Sequence, residues 1–303
     1  MIQDPKTGPA PPGVVYNTSM ARPDAALGLA ALYVSAARRD ARVNGICVTG
    51  SGFDAAVFCD IVARFYTGTT RAPSSNAALP VGFPADPPVP PNPPMVETAV
   101  NRKRGDGQPQ YARTILSVTD TSAPDALLRN AITFSAETVV VLSAPATWLA
   151  RAVSLAGART QYQERVTRVV IVEAGDTDRD PGALKSLAAA IPVPIVVSGR
   201  EVGEALAVPR ARLESSLAWA PANPVADALL AAGGGDVPLH DVAALHYALH
   251  PDSGWFTLAN GRLRVVPEKK PECLAELLAL ATSKPQSPPA RGRLSPGLLK
   301  ISH

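Results

Sequence analysis

The chain has 303 residues, 46% of them hydrophobic, and its 29 basic and 26 acidic side chains give a formal charge of +3. This is enough for one large α/β domain or two small ones, and no run of about 18 apolar residues is present to cross a membrane. Lys284, Arg291, Arg293 and Lys300 fall in an acid-free stretch, 283–303, which leaves the rest at 3 − 4 = −1 and excludes the clustered positive charge of a nucleic-acid-binding domain.

That Pro- and Ser-rich stretch reads as a disordered basic tail following a domain over 1–282. Residues 1–13 hold no apolar run of the signal-peptide kind, so the chain reads as cytoplasmic, with a secreted chain trimmed of its signal peptide as the alternative. Cys47, Cys59 and Cys273 are odd in number and lack a C-x-x-C spacing, which marks them as small core residues and not as a disulfide framework or a thiolate zinc site.

In chain order, Val14 to Tyr16 forms a short apolar strand, and residues 24–39 an Ala/Leu-rich helix with Asp24 in its first turn. A second strand, Val43 to Thr49, closes on Gly50-Ser51-Gly52 and leads into a helix over 55–66. Residues 80–94 contain eight prolines, which forbid helix and central strand; with the polar 101–110 they read as a long loop over one edge of a single sheet. The alternation resumes with strands 138–142, 166–172 and 194–197, followed by helices 146–155, 183–190 and 201–206. Segments 254–258 and 262–266 around Asn260-Gly261 make a small C-terminal hairpin. Continuous apolar strands separated by helices specify a doubly wound, mostly parallel α/β sheet.

Ligands of such sheets bind beyond the carboxyl ends of the strands. Asp24, Ser143, Asp176, Asp178 and Asp180 all follow strands in this way. His246 and His250 stand one helical turn apart without the Glu of an H-E-x-x-H motif, which favours a solvated or half-buried pair over a metal site.

The segment Val14-Val15-Tyr16-Asn17-Thr18-Ser19-Met20-Ala21-Arg22-Pro23-Asp24-Ala25 resembles the amino-terminal calcium-binding segment of the nucleoside hydrolases, Asp-Thr-Asp-x-Gly-x-Asp-Asp-Ala, and His240-Asp241 resembles that family's late His-Asp. Residues 142–147 and 168–173 are similar to two further segments of the family in the same order, and the resemblance runs over about residues 13–268. It implies a nucleoside hydrolase-like fold and, as the family activity, hydrolysis of the N-glycosidic bond of ribonucleosides through a calcium-activated water. By this resemblance Asp24, Ser143 and Asp241 match calcium ligands, His240 matches the leaving-group acid, and Asn17 and Asp176 match substrate-binding positions.

Asn17, Ser19 and Pro23 stand where the family has carboxylates. Calcium takes six to eight oxygens with several negative charges, and a serine is no base at neutral pH, so calcium is expected to bind weakly or not at all and turnover to be weak or missing. The alternative is a non-catalytic protein on the same fold that binds a nucleoside or sugar or serves in interaction. A nucleophilic-serine hydrolase is disfavoured, since there is no G-x-S-x-G elbow and only Ser51 in Thr49-Gly50-Ser51-Gly52 approaches one. The expected ligand is a small ribose-containing molecule, with neither nucleic acid nor membrane as partner; a homo-oligomer is compatible with the resemblance.

Overall fold

A computed structural model describes residues 10–68, 81–85, 90–174 and 179–284. The chain begins β1 (Gly13–Thr18), α1 (Pro23–Arg38), β2 (Arg42–Val48), α2 (Asp54–Thr67), β3 (Val81–Gly82), α3 (Pro94–Asn101), α4 (Pro124–Ala131) and β4 (Thr138–Ser143). It continues α5 (Thr147–Ser154), α6 (Ala158–Arg165), β5 (Val166–Val172), α7 (Pro181–Ala190), β6 (Ile195–Ser198), α8 (Arg200–Ala205), α9 (Arg210–Leu217) and α10 (Pro224–Ala232). It closes with α11 (His240–Leu249), β7 (Phe256–Ala259), β8 (Arg262–Val265) and α12 (Lys270–Thr282).

All eight strands belong to one sheet of order β3-β2-β1-β4-β5-β6-β8-β7, parallel except where β7 pairs with β8. Burial on both faces explains the unbroken apolar strands. Within β1, Val14 and Tyr16 enter the core under α1, α2 and α11, while Val15 enters the opposite core under α4, α5 and α7. The expected doubly wound sheet is therefore present, and the C-terminal hairpin extends it.

Two features depart from the sequence reading. The proline-rich stretch, whose residues 80 and 86–89 lie outside the described residues, contains edge strand β3 and the start of α3. Both are compatible with proline: β3 is the proline-free pair Val81–Gly82, which pairs with β2 and bridges Ser122 on its other side, and Pro94 occupies the first turn of α3, where its missing N–H leaves no intrahelical bond unmade. The basic tail lies outside the described residues from 285 onward. Among the described residues no helix is long and apolar enough to cross a membrane.

Strand order fixes where a site can form. From β1 the chain moves outward to β2 and β3, then returns to the other side of β1 as β4, so the winding reverses between β1 and β4. The crevice outside the carboxyl ends at such a reversal is where open α/β sheets hold ligands. Here those ends are Thr18 and Ser143, which are register partners.

Candidate functional site at the sheet reversal

After Thr18 the chain turns sharply into α1. Met20 is buried with φ 52°, a left-handed backbone unusual for a residue with a side chain, and its N–H donates to Thr18 Oγ1 at 3.1 Å. Arg22 is the extended residue preceding α1, and Pro23 begins the helix with the φ it requires. The turn thus brings Arg22 over the strand ends and sets Asp24 in the first turn of α1, where helix N-terminal amides favour negative charge. Asp241 occupies the equivalent place in α11, which packs on α1 and over β4 and β5.

Asp24 and Asp241 meet: Asp24 Oδ2 accepts the backbone N–H of Asp241 at 3.1 Å. An aspartate of one helix therefore serves an otherwise unpaired amide at the start of another. The approach depends on Gly28, where a Cβ would stand 3.0 Å from Asp241 Cβ and 3.3 Å from the Tyr16 hydroxyl.

Arg22 joins the two acids. Its Nε donates to Asp24 Oδ1 at 3.1 Å, and its Nη2 donates to Asp241 Oδ1 and to Ser143 Oγ, each at 2.9 Å. Ser143 Oγ donates in turn to Asp241 Oδ1 at 2.6 Å, and the Tyr16 hydroxyl donates to Asp241 Oδ2 at 2.5 Å. All four carboxylate oxygens of the pair accept hydrogen bonds from the chain itself. Asp241 is fully buried; desolvation pushes its carboxyl up to about 6, against the opposing pull of the Arg22 charge.

Calcium requires six to eight oxygens, several of them anionic. Here every oxygen of the two carboxylates already accepts a hydrogen bond and a guanidinium lies against both, so the residues present fit an arginine and do not fit a calcium ion. Among the described residues there is no group of three His, Cys, Asp or Glu that could hold a metal.

The remaining expected residues are distributed as follows. Asn17 is buried at the end of β1, its Oδ1 accepting from Thr49 Oγ1 at 3.0 Å and its Nδ2 without a partner among the described residues. Ser19 accepts from the Ala21 N–H at 3.3 Å through Oγ, and its carbonyl accepts from Ser51 Oγ, so Ser51 braces the turn. His240 is buried beside Asp241, its Nδ1 without a partner among the described residues and its ring so close to α8 that a Cβ at Gly203 would lie 2.1 Å from Nδ1. Burial, then the charge of Arg22, lowers the His240 pKa, which disfavours the protonated form a leaving-group acid needs. Asp176 and Asp178 lie outside the described residues. Asp180 caps α7, accepting from the Ala183 N–H at 2.9 Å and from Thr147 Oγ1 at 2.6 Å.

The sequence reading did not single out Arg22 or Tyr16. Arg22 occupies an unspecified position of the family pattern, and Tyr16 reads as one more apolar strand residue. The available signal was the loss of several acids around a single new base. Elsewhere, His246 and His250 lie with ring centroids 5.0 Å apart, and His246 stacks on Trp255 at 4.6 Å. A separate cavity of about 640 Å³ lined by Arg64, Phe65, Tyr111 and Arg113 lies off α2, away from the reversal, and its Arg64 is bound to Asp60 at 3.0 Å.

No family model matches the sequence, and no curated protein matches it. Solved structures do match in fold. An inosine-uridine preferring nucleoside hydrolase from Bacillus anthracis aligns with a TM-score of 0.63 at 12% identity, covering 89% of this chain and 99% of that one. A plant nucleoside hydrolase aligns with a TM-score of 0.60 at 14% identity over 90% of this chain and 99% of that one. The type III effector protein XopQ, solved in complex with adenosine diphosphate ribose, aligns with a TM-score of 0.61 at 16% identity over 92% and 94%. The sheet order, the reversal at β1 and β4 and these alignments agree: the fold of this chain is that of the nucleoside hydrolases.

Proposed function

We propose that this protein binds a ribose-containing small molecule at the β1/β4 reversal and does not hydrolyse it by the calcium-dependent route. The observation that carries this reading is the guanidinium of Arg22 bonded at once to Asp24, Ser143 and Asp241. In metal-assisted glycoside hydrolysis the ion lowers the pKa of the attacking water and a carboxylate takes its proton. A guanidinium offers only N–H donors and binds no water as a Lewis acid would. Ser19, at the position of the family's base, supplies a hydroxyl, and the lowered pKa of His240 works against leaving-group protonation.

Ligand binding is supported by the buried Asn17 amide, whose Oδ1 is held by Thr49 while Nδ2 has no partner among the described residues; a buried donor of this kind calls for an acceptor such as a sugar hydroxyl or a water. The adenosine diphosphate ribose held by XopQ, a structure of the same fold, is a ligand of that class.

The test combines calorimetry against inosine, uridine and adenosine diphosphate ribose with an assay for released base in millimolar calcium. Binding of at least one of them without turnover is expected. Turnover that a chelator abolishes overturns the non-hydrolytic reading, and failure to bind any of the three overturns the ligand assignment.

A further inference from the structure

We propose that the guanidinium of Arg22 is the resident cation of this site, standing where a divalent ion would need to stand, and that removing it opens Asp24, Asp241 and Ser143 to a divalent cation. The oxygens facing Arg22 are one from each carboxylate, Asp24 Oδ1 and Asp241 Oδ1, together with Ser143 Oγ. Removing the side chain withdraws the donor from all three on one side of a shared space; Ser143 Oγ still donates to Asp241 Oδ1, and both oxygens keep lone pairs for a cation. The bonds that orient the carboxylates do not pass through Arg22. Asp24 Oδ2 remains on the Asp241 N–H, Asp241 Oδ2 remains on Tyr16, and the close packing of α1 on α11 at Gly28 fixes the separation of the acids.

Two carboxylates held together in a buried setting need a positive charge between them, and a bidentate or bridging arginine meets that need with directed hydrogen bonds. A divalent ion meets it with more charge but requires the same oxygens. The two occupants therefore exclude each other. Arg22 has the advantage of being tethered, because the Met20 turn and Pro23 fix the backbone on either side of it. It follows that restoring acids at Asn17, Ser19 and Pro23 leaves calcium unbound as long as Arg22 is retained.

The site is the one read above as lacking metal-dependent hydrolysis, but calcium binding by variants and nucleoside binding by the wild type are separate measurements, so failure of either reading is recognisable by itself. The experiment compares wild type, R22A, R22K and the double variant R22A/D241N, all chelator-treated, by thermal melting with and without millimolar calcium chloride and by calorimetry. R22A is expected to melt several degrees below wild type without calcium. Calcium should recover at least half of that loss, with a dissociation constant of roughly 10⁻⁴ to 10⁻³ M, the weak end of oxygen-ligated calcium sites. Wild type and R22K, which keep a cation, should not shift, and R22A/D241N should not be rescued. If R22A does not accumulate as folded protein, R22Q, neutral and of similar reach, takes its place with the same expectation. Calcium leaving the melting of both neutral variants unchanged, or binding wild type as tightly as R22A, overturns the proposal.

Discussion

Asp241, in the first turn of α11, accepts from the hydroxyl of Tyr16 and the guanidinium of Arg22; Asp227, in the first turn of α10, accepts from the hydroxyl of Tyr111 and the guanidinium of Arg102. The trio is the same, and the settings differ. At Asp227 the arginine side chain is 41% exposed and the network ties the segment after α3 onto α10. At Asp241 the arginine is 20% exposed, touches a second aspartate and a serine, and lies across the ends of β1 and β4, where the winding reverses. An aspartate with a tyrosine and an arginine is therefore a general tie in this protein. What distinguishes the reversal is Asp24, Ser143 and position in the sheet.

The comparison predicts unequal costs for equal substitutions. Asp241→Asn leaves the Arg22 charge and neighbouring buried donors poorly matched and should lower unfolding free energy by about 3 to 5 kcal/mol, whereas Asp227→Asn, whose arginine is largely solvated, should lose about 1 to 3 kcal/mol. Urea midpoints of the two variants measure this; equal losses would erase the distinction. A neutral replacement of similar bulk, Arg22→Met, should cost about 3 kcal/mol and move the Asp241 carboxyl above its present value of about 6, because the charge that opposes desolvation is removed. Carboxyl ¹³C titration reads that direction, and a fall would contradict it.

Acid should act in opposite senses at the two ends of α11. Burial first, then the charge of His250, lowers the His246 pKa from 6.5 to about 4. Between those values the unfolded chain takes up a proton that the native one refuses, so stability falls with pH, by about 3 kcal/mol if the whole interval is crossed. Asp241, raised from 3.8 to about 6, has the opposite sign: the native state binds the extra proton and gains stability over that range as pH falls. His246→Leu should therefore lose less stability than wild type between pH 7 and about 4.5, as measured by urea midpoints at each pH. The smallest expected effects are hydroxyl deletions. Tyr16→Phe leaves a fully buried carboxylate oxygen without its donor and should cost about 1 to 3 kcal/mol, against about 1 kcal/mol for Tyr111→Phe at the less enclosed Asp227.

The parallel sheet was legible in the sequence because strand centres buried on both faces have to be continuously apolar, as 139–142 and 169–172 are. Several short helices were not. α3 starts inside a proline run, and α10 is announced only by the Asn223 cap, which accepts from the Val225 N–H at 3.0 Å, and by Pro224. At the site, the meeting of Asp24 with Asp241 was anticipated through family resemblance alone, since nothing local links residues 217 positions apart. Arg22 could not be placed from sequence, because a guanidinium's reach to three partners depends on the turn at Met20, whose left-handed backbone no local propensity announces. Asp180 shows the converse case: a carboxylate after a strand that proves to be a helix cap.

The most direct measurement of the central claim is a crystal structure of the unmodified protein grown in millimolar calcium, with anomalous differences collected to identify any bound ion. The account predicts the Arg22 guanidinium bonded to Asp24, Ser143 and Asp241, with no cation peak between the two aspartates. A calcium ion coordinated by Asp24 and Asp241, with Arg22 swung away, would contradict it.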